Sequence, residues 1–96
     1  MPVYLIADGR AADPSKLEEY RRVNAELIPR FGGRYLVRGG EHEVLEGDWS
    51  PGRLVIIEFP DRDAARNWYD SPEYAGLRAQ RHKHAETNMV LVDGLD

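Results

Sequence analysis

Glu58 is the residue whose chemistry stands out first. It lies in Leu54-Val55-Ile56-Ile57-Glu58-Phe59, the most apolar stretch of the chain, in the same alternation phase as Leu54 and Ile56. A carboxylate in such surroundings is costly unless it is paired or protonated. Arg38, at the end of Arg34-Tyr35-Leu36-Val37-Arg38, is its expected partner. Two readings stay open. In one, Glu58 is a pocket carboxylate tuned for proton transfer or for holding a polar ligand, with Arg38 orienting an anionic group. In the other, the two form a salt bridge at a strand end, with Glu58 emerging into solvent beside Pro60. Arg38-Gly39-Gly40 allows the same pair of readings, as an anion-binding element with close backbone approach or as a β-bulge. Two glycines without the longer phosphate-loop pattern do not make a nucleotide fingerprint.

The other candidates are aromatic or polar. Trp68, Tyr69 and Tyr74 flank Asp70-Ser71-Pro72, a sequence that breaks a helix, and a broken helix over a sheet leaves room for aromatic pocket walls. The alternative for Trp68 is plain packing. Asn24 sits on an apolar helical stripe between Tyr20 and Leu27, where its amide must find partners, whether a ligand, a backbone carbonyl or water. His82 is a candidate acid or base, since imidazole titrates near neutral pH. His82 and His84 are two apart and point in different directions on a helix, and the chain has no cysteine, so neither a metal site nor thiol chemistry is expected.

The elements that must carry these residues follow from periodicity and punctuation. Val3–Asp8 reads as a strand closed by Asp8-Gly9. Asp13-Pro14 opens a helix whose face is Leu17, Tyr20, Asn24, Leu27, Ile28 and Phe31, with Pro29 near its end and Gly32-Gly33 stopping it. Arg34–Arg38 is a second strand, with Glu43–Leu45 expected to continue it after a bulge at Gly39-Gly40. Arg53–Phe59 is a third strand, closed by Pro60. Asp61 caps a helix carrying Ala64, Ala65, Trp68 and Tyr69, and Ser71-Pro72 caps another through about Ala85. Thr87–Val92 is the last strand. The order β-α-β-β-α-β predicts a ferredoxin-like α+β domain over residues 1–96, with a four-stranded antiparallel sheet and both helices on one face.

The strands also predict a partner. Leu54 and Ile56 face one way, Val55, Ile57 and Phe59 the other; Met89 and Leu91 oppose Val90 and Val92. Both faces of the sheet are apolar, whereas a sheet with one wet face alternates apolar with polar. With 96 residues there is no chain to spare for a third layer, so the open face is expected to bury against a second copy in a two-fold dimer. The net charge is −4, from 13 basic and 17 acidic residues, which argues against nucleic acid or an anionic membrane as partner. The aliphatic Arg53–Phe59 strand also lacks the basic-aromatic pattern of an RNA-binding sheet. Neither a signal peptide nor an apolar run of roughly 20 residues is visible, so a cytoplasmic location is expected.

Four segments together resemble one family: Gly33-Arg34-Tyr35-Leu36-Val37-Arg38-Gly39-Gly40, Val44-Leu45-Glu46-Gly47-Asp48-Trp49, Ile57-Glu58-Phe59-Pro60, and Trp68-Tyr69-Asp70-Ser71-Pro72-Glu73-Tyr74. They are similar to the domain of unknown function 1330 family, across nearly the whole chain. The resemblance implies a dimeric α/β barrel and no particular activity. The wider fold group includes cofactor-free monooxygenases, muconolactone isomerase-like enzymes, dehydratases and haem enzymes, an analogy of fold alone. Two functions are therefore carried forward. One is a cofactor-independent enzyme working by proton transfer on a small organic acid or aromatic compound, through Glu58 and Arg38, with Asn24, Trp68, Tyr69, Tyr74 and His82 around the substrate. The other is a non-catalytic binding or accessory dimer in which Arg38 and Glu58 are structural.

Overall fold

The computed structural model describes residues 1–95. Four strands, β1 (Val3–Ala11), β2 (Arg34–Arg38), β3 (Arg53–Phe59) and β4 (Ala85–Asp93), form one antiparallel sheet in the order β2-β3-β1-β4. A 3₁₀ turn at Pro14–Leu17 leads into α1 (Glu18–Arg30); α2 (Arg62–Tyr69) and α3 (Pro72–His84) follow β3. This is the ferredoxin-like α+β arrangement expected from the element order.

Local chemistry explains the joints. Asp13 accepts from the Ser15 N–H and Asp61 from the Ala64 N–H, each capping the helical turn after it. Ser71 accepts from the Tyr74 N–H while donating to the Trp68 carbonyl, so one hydroxyl ends α2 and begins α3. At the end of α1, Gly32 takes φ 84° and its N–H bonds to the Pro29 carbonyl; the Gly33 N–H bonds to Ile28. That is a Schellman motif, with glycine at the left-handed position. Pro29 fits inside the last turn of α1 without ending it earlier.

The helices cover the face formed by Val3, Leu5, Ala7, Ile57 and Phe59, and the core closes with Leu27, Ile28, Ala65, Trp68 and Tyr74. The opposite face carries Tyr4, Ile6, Leu54, Ile56, Val90 and Val92, the last two about half exposed.

Three expectations need correction. First, β1 runs on to Ala11, and β4 starts at Ala85, because Gly9, Arg10 and Ala11 complete the ladder with Thr87, Glu86 and Ala85. Second, Glu43–Leu45 is not a strand: residues 40–52 form an irregular arm. Third, the bulge lies at Leu36 and not at Gly39-Gly40. Tyr35 opposes Ile57, but Val37 opposes Ile56, so Leu36 is the extra residue. An extra residue reverses the alternation beyond it. Arg34 therefore stays on the open face opposite Glu58, while Arg38, opposite Val55, turns to the helix-covered face.

Candidate functional site

The bulge decides which residues meet. Glu58 Oε1 accepts from Arg34 Nε at 2.6 Å, and Tyr4 Oη donates to Oε2 at 3.4 Å. The expected Arg38–Glu58 pair does not form, because the two side chains lie on opposite faces of the sheet. Arg38 instead stacks over the Tyr35 ring, 5.0 Å from its centroid, and donates to the Arg21 carbonyl.

A cavity of about 430 Å³ lies between the sheet and the helices. The sequence explains the space. The helix-facing positions at this end of β1 and β4 are Ala7, Gly9, Ala11, Ala85 and Thr87, none larger than threonine, so the floor is low where helix side chains would otherwise pack. The apolar walls include Leu5, Val55, Ile57 and Met89.

The polar lining has one sign. Five arginines, Arg10, Arg21, Arg38, Arg53 and Arg81, reach the cavity, and among the described residues no aspartate or glutamate does. The ion pairs of the described residues use other arginines, namely Arg30, Arg34, Arg62 and Arg66. A protein of net charge −4 thus holds a cationic cavity. Arg53 shows the strain: burial, then the neighbouring Arg21 and Arg38, lower its pKa from the usual arginine value.

Arg81 is the most buried of the five, 7% exposed. Its Nε donates to Tyr74 Oη at 3.4 Å and its Nη2 meets His82 Nε2 at 3.5 Å. Burial works against its charge, but the phenols of Tyr74 and Tyr20 outweigh that and raise its pKa. The Tyr74 and Tyr20 hydroxyls lie 2.6 Å apart. Burial raises the Tyr20 pKa, and the Tyr74 phenol adds to it, so Tyr20 stays a protonated donor. Tyr35 is raised too, again chiefly by burial. If Tyr74 accepts from Arg81 and donates to Tyr20, the Tyr20 O–H is left to point at the cavity.

The remaining candidates divide. Asn24 and Trp68 line the cavity, where Asn24 Oδ1 accepts from Trp68 Nε1 at 3.0 Å and Asn24 Nδ2 donates to Tyr35 Oη at 3.5 Å. The buried amide thus finds side-chain partners and braces the indole. Tyr74 touches the site through its hydroxyl network but does not line the cavity. Tyr69 packs edge-on to Trp68 with Arg78 4.9 Å above its own ring, and His82 is exposed beyond Arg81; neither lines it, nor does Glu58. Sequence reasoning passed over Arg53, Arg81 and Tyr20. The available signal was the alternation of Ala7, Gly9 and Ala11, which marks a low floor once β1 is extended.

A family model described as a domain of unknown function (DUF1330) matches residues 2–95. The chain belongs to that family. Among solved structures, this DUF1330 protein is similar to a protein of unknown function from Rhodopseudomonas palustris, at 20% identity and TM-score 0.76, covering 99% of this chain and 83% of that one. It is also similar to a dimeric ferredoxin-like protein of unknown function from Jannaschia sp. CCS1 (12% identity, TM-score 0.74, 98% and 100% covered). A third match is SnoaB, a cofactor-independent oxygenase from Streptomyces nogalater (16% identity, TM-score 0.68, 99% and 94% covered). At these identities the likeness is one of fold. No functionally curated protein matches the sequence. No helix among the described residues is long and apolar enough to cross a membrane.

Proposed function

We propose that this DUF1330 protein binds a small, partly apolar organic acid in the cavity between sheet and helices, as a homodimer joined through the open sheet face. The observation that carries the reading is a lining of five arginines with no carboxylate among the described residues. Guanidinium groups in a partly dry cleft recognise carboxylates and enolates by charge-assisted, often bidentate hydrogen bonds. The apolar floor sets the size and character of the rest of the ligand. The dimer is supported by the two apolar sheet faces and by the dimeric form of the Jannaschia protein.

Proton transfer on such a ligand needs no protein carboxylate. A ring of arginines lowers the pKa of an acidic O–H or C–H in the ligand by stabilising its anion, water takes up and returns the proton, and the Tyr20 O–H donates a hydrogen bond to the anion without losing its own proton. This is the cofactor-independent enzyme, with its charges supplied by Arg38, Arg53 and Arg81 in place of Glu58. The fold it shares with a cofactor-independent oxygenase supports that reading. The non-catalytic reading has its own support, since Glu58 is paired with Arg34 and, among the described residues, no carboxylate or histidine lines the cavity to act as a general base.

Benzoate and its neutral isostere benzamide separate binding from mere hydrophobic uptake. Calorimetry is expected to show saturable benzoate binding, with benzamide at least about tenfold weaker, the equivalent of about 1.4 kcal/mol. Glu58→Gln is expected to leave benzoate affinity within about twofold, because Glu58 lies on the other face. Equal affinity for both compounds, or no benzoate binding, would overturn the proposal.

A further inference from the structure

The cationic groups of the cavity are not spread evenly. Arg21 on α1, Arg38 on β2 and Arg53 on β3 gather at the β2 edge: Arg38 Nη2 donates to the Arg21 carbonyl and Arg53 Nη2 to the Arg38 carbonyl. Arg81 sits at the end of α3, where its carbonyl accepts from the first residue of β4, Ala85. β2 and β4 are the two edges of the sheet. At about 4.8 Å per strand spacing, those edges are about 14 Å apart. Between the two groups run the small residues of the floor and, above them, the Tyr20 phenol.

Arg81 is chemically unfinished. A guanidinium has five N–H donors, and a buried one needs an anion or several acceptors. Arg81 has two long hydrogen bonds, to a phenol and an imidazole, and no carboxylate within ion-pair distance among the described residues. Its Nη1 makes no hydrogen bond there. Every fully buried side-chain nitrogen and oxygen among those residues has a partner, so Nη1 is not fully enclosed, and Arg81 is one of the residues that line the cavity. The Arg21, Arg38 and Arg53 group is more open, with Arg38 exposed and the other two half-buried, but it too gathers three like charges, none of them ion-paired to a carboxylate among the described residues.

We infer that the ligand is a dianion with two separated negative groups, one held by Arg81 and the Tyr20 hydroxyl, the other by Arg21, Arg38 and Arg53. The inference rests on the proposed organic-acid site and names its substrate class: dicarboxylates, or acids whose second charge is an enolate or phenolate. One anion cannot neutralise both poles, and a second anionic group placed at the far pole gains charge-assisted hydrogen bonds without ordering a second molecule.

Straight-chain diacids of four to eight carbons, each paired with the monoacid of the same carbon number, test it by calorimetry. The readout is the ratio of monoacid to diacid Kd. At least one chain length is expected to give a ratio above about ten, and Arg81→Gln and Arg53→Gln are each expected to reduce it below about two. A ratio near one throughout, with monoacids still bound, would overturn the dianion inference and leave the organic-acid site standing. Absence of any acid binding would overturn both. A ratio that survives Arg81→Gln would remove Arg81 from the site. Should Arg81→Gln not fold, Arg53→Gln reads the opposite pole by the same ratio.

Discussion

Asp8 is the only buried carboxylate among the described residues, and it faces away from the cavity. Its two oxygens hold the root of the arm at residues 40–52. Trp49 Nε1 donates to Oδ2 at 2.8 Å and the Gly52 N–H to Oδ1 at 2.7 Å. Both bonds favour the ionised form, so the Trp49 bond first and the Gly52 bond second hold its pKa below the usual carboxylate range. The sign follows. A depressed folded-state pKa means the unfolded chain binds the proton first, so the stabilisation is complete above about pH 3.9 and drains away as the pH falls through the folded value. The Gly52 amide resonance is therefore expected to titrate with a midpoint below about 3.9. Asp8→Asn, which can accept but replaces one acceptor by a donor, is expected to show the low-pH amide exchange rates of the arm already at neutral pH. A Gly52 midpoint at the ordinary aspartate value, or an unchanged arm in the variant, would contradict this account.

At the scale of elements, α1 and β2 are joined by a turn with no room in it. A Cβ on Gly33 would lie 2.7 Å from Ile28 Cγ2 and 2.8 Å from Phe59 Cε1, and both neighbours are fully buried. Gly33→Ala is expected to cost about 1–3 kcal/mol by overpacking, read as a Tm lowered by about 4–8 °C per kcal/mol. Gly40→Ala, where a Cβ meets nothing within 4 Å, is the matched control and is expected to leave Tm unchanged. The same turn shows how much was legible in the sequence. Gly32-Gly33, Asp61, Ser71-Pro72 and the alternation of Arg53–Phe59 carry their own local physics, so element order, caps and the two-faced sheet could be read directly. The bulge at Leu36 could not. Nothing about a leucine marks an extra residue, since its position is set by how β2 must pair with β3 to keep Tyr35 and Arg38 on the same side. Because the alternation reverses there, the charge pairing read from the sequence joined the wrong arginine to Glu58. Arg81 was hidden for a related reason: a basic residue in the last turn of a helix ordinarily faces solvent, and only the packing of α3 over the low floor at Ala11 and Ala85 draws it inside.

For the whole molecule, thickness is the telling dimension. The Cα trace measures 32 × 32 × 16 Å, a slab of one sheet and one helical layer. Val90 is 57% exposed, Val92 45% and Leu36 46%. The arm adds Val44 and Leu45, also exposed. Apolar strands left on a wet face are unfavourable for a chain this short, and burying them against a second copy supplies the missing layer. An interface of this kind needs roughly 1,200–2,000 Å² in total to be stable, which only a broad patch such as this sheet face can offer. The protein is therefore expected to run at twice 11.0 kDa by light scattering, with a Tm that rises with protein concentration. Val90→Glu places a carboxylate on the open face halfway along the edge strand β4, where burial against a second copy opposes it in both subunits, and is expected to weaken dimerisation at least about tenfold, about 1.4 kcal/mol. A native protein that stays monomeric at all concentrations, or a Val90→Glu dimer as tight as the native one, would show that something else covers this face. The cavity lies on the other side of the sheet, and of its five arginines only Arg10, next to Gly9 and Ala11 on β1, is in phase with the open-face residues. Monomeric Val90→Glu is accordingly expected to keep its preference for benzoate over benzamide. Loss of that preference along with the dimer would mean that the second copy completes the organic-acid site through the arm or the cavity mouth.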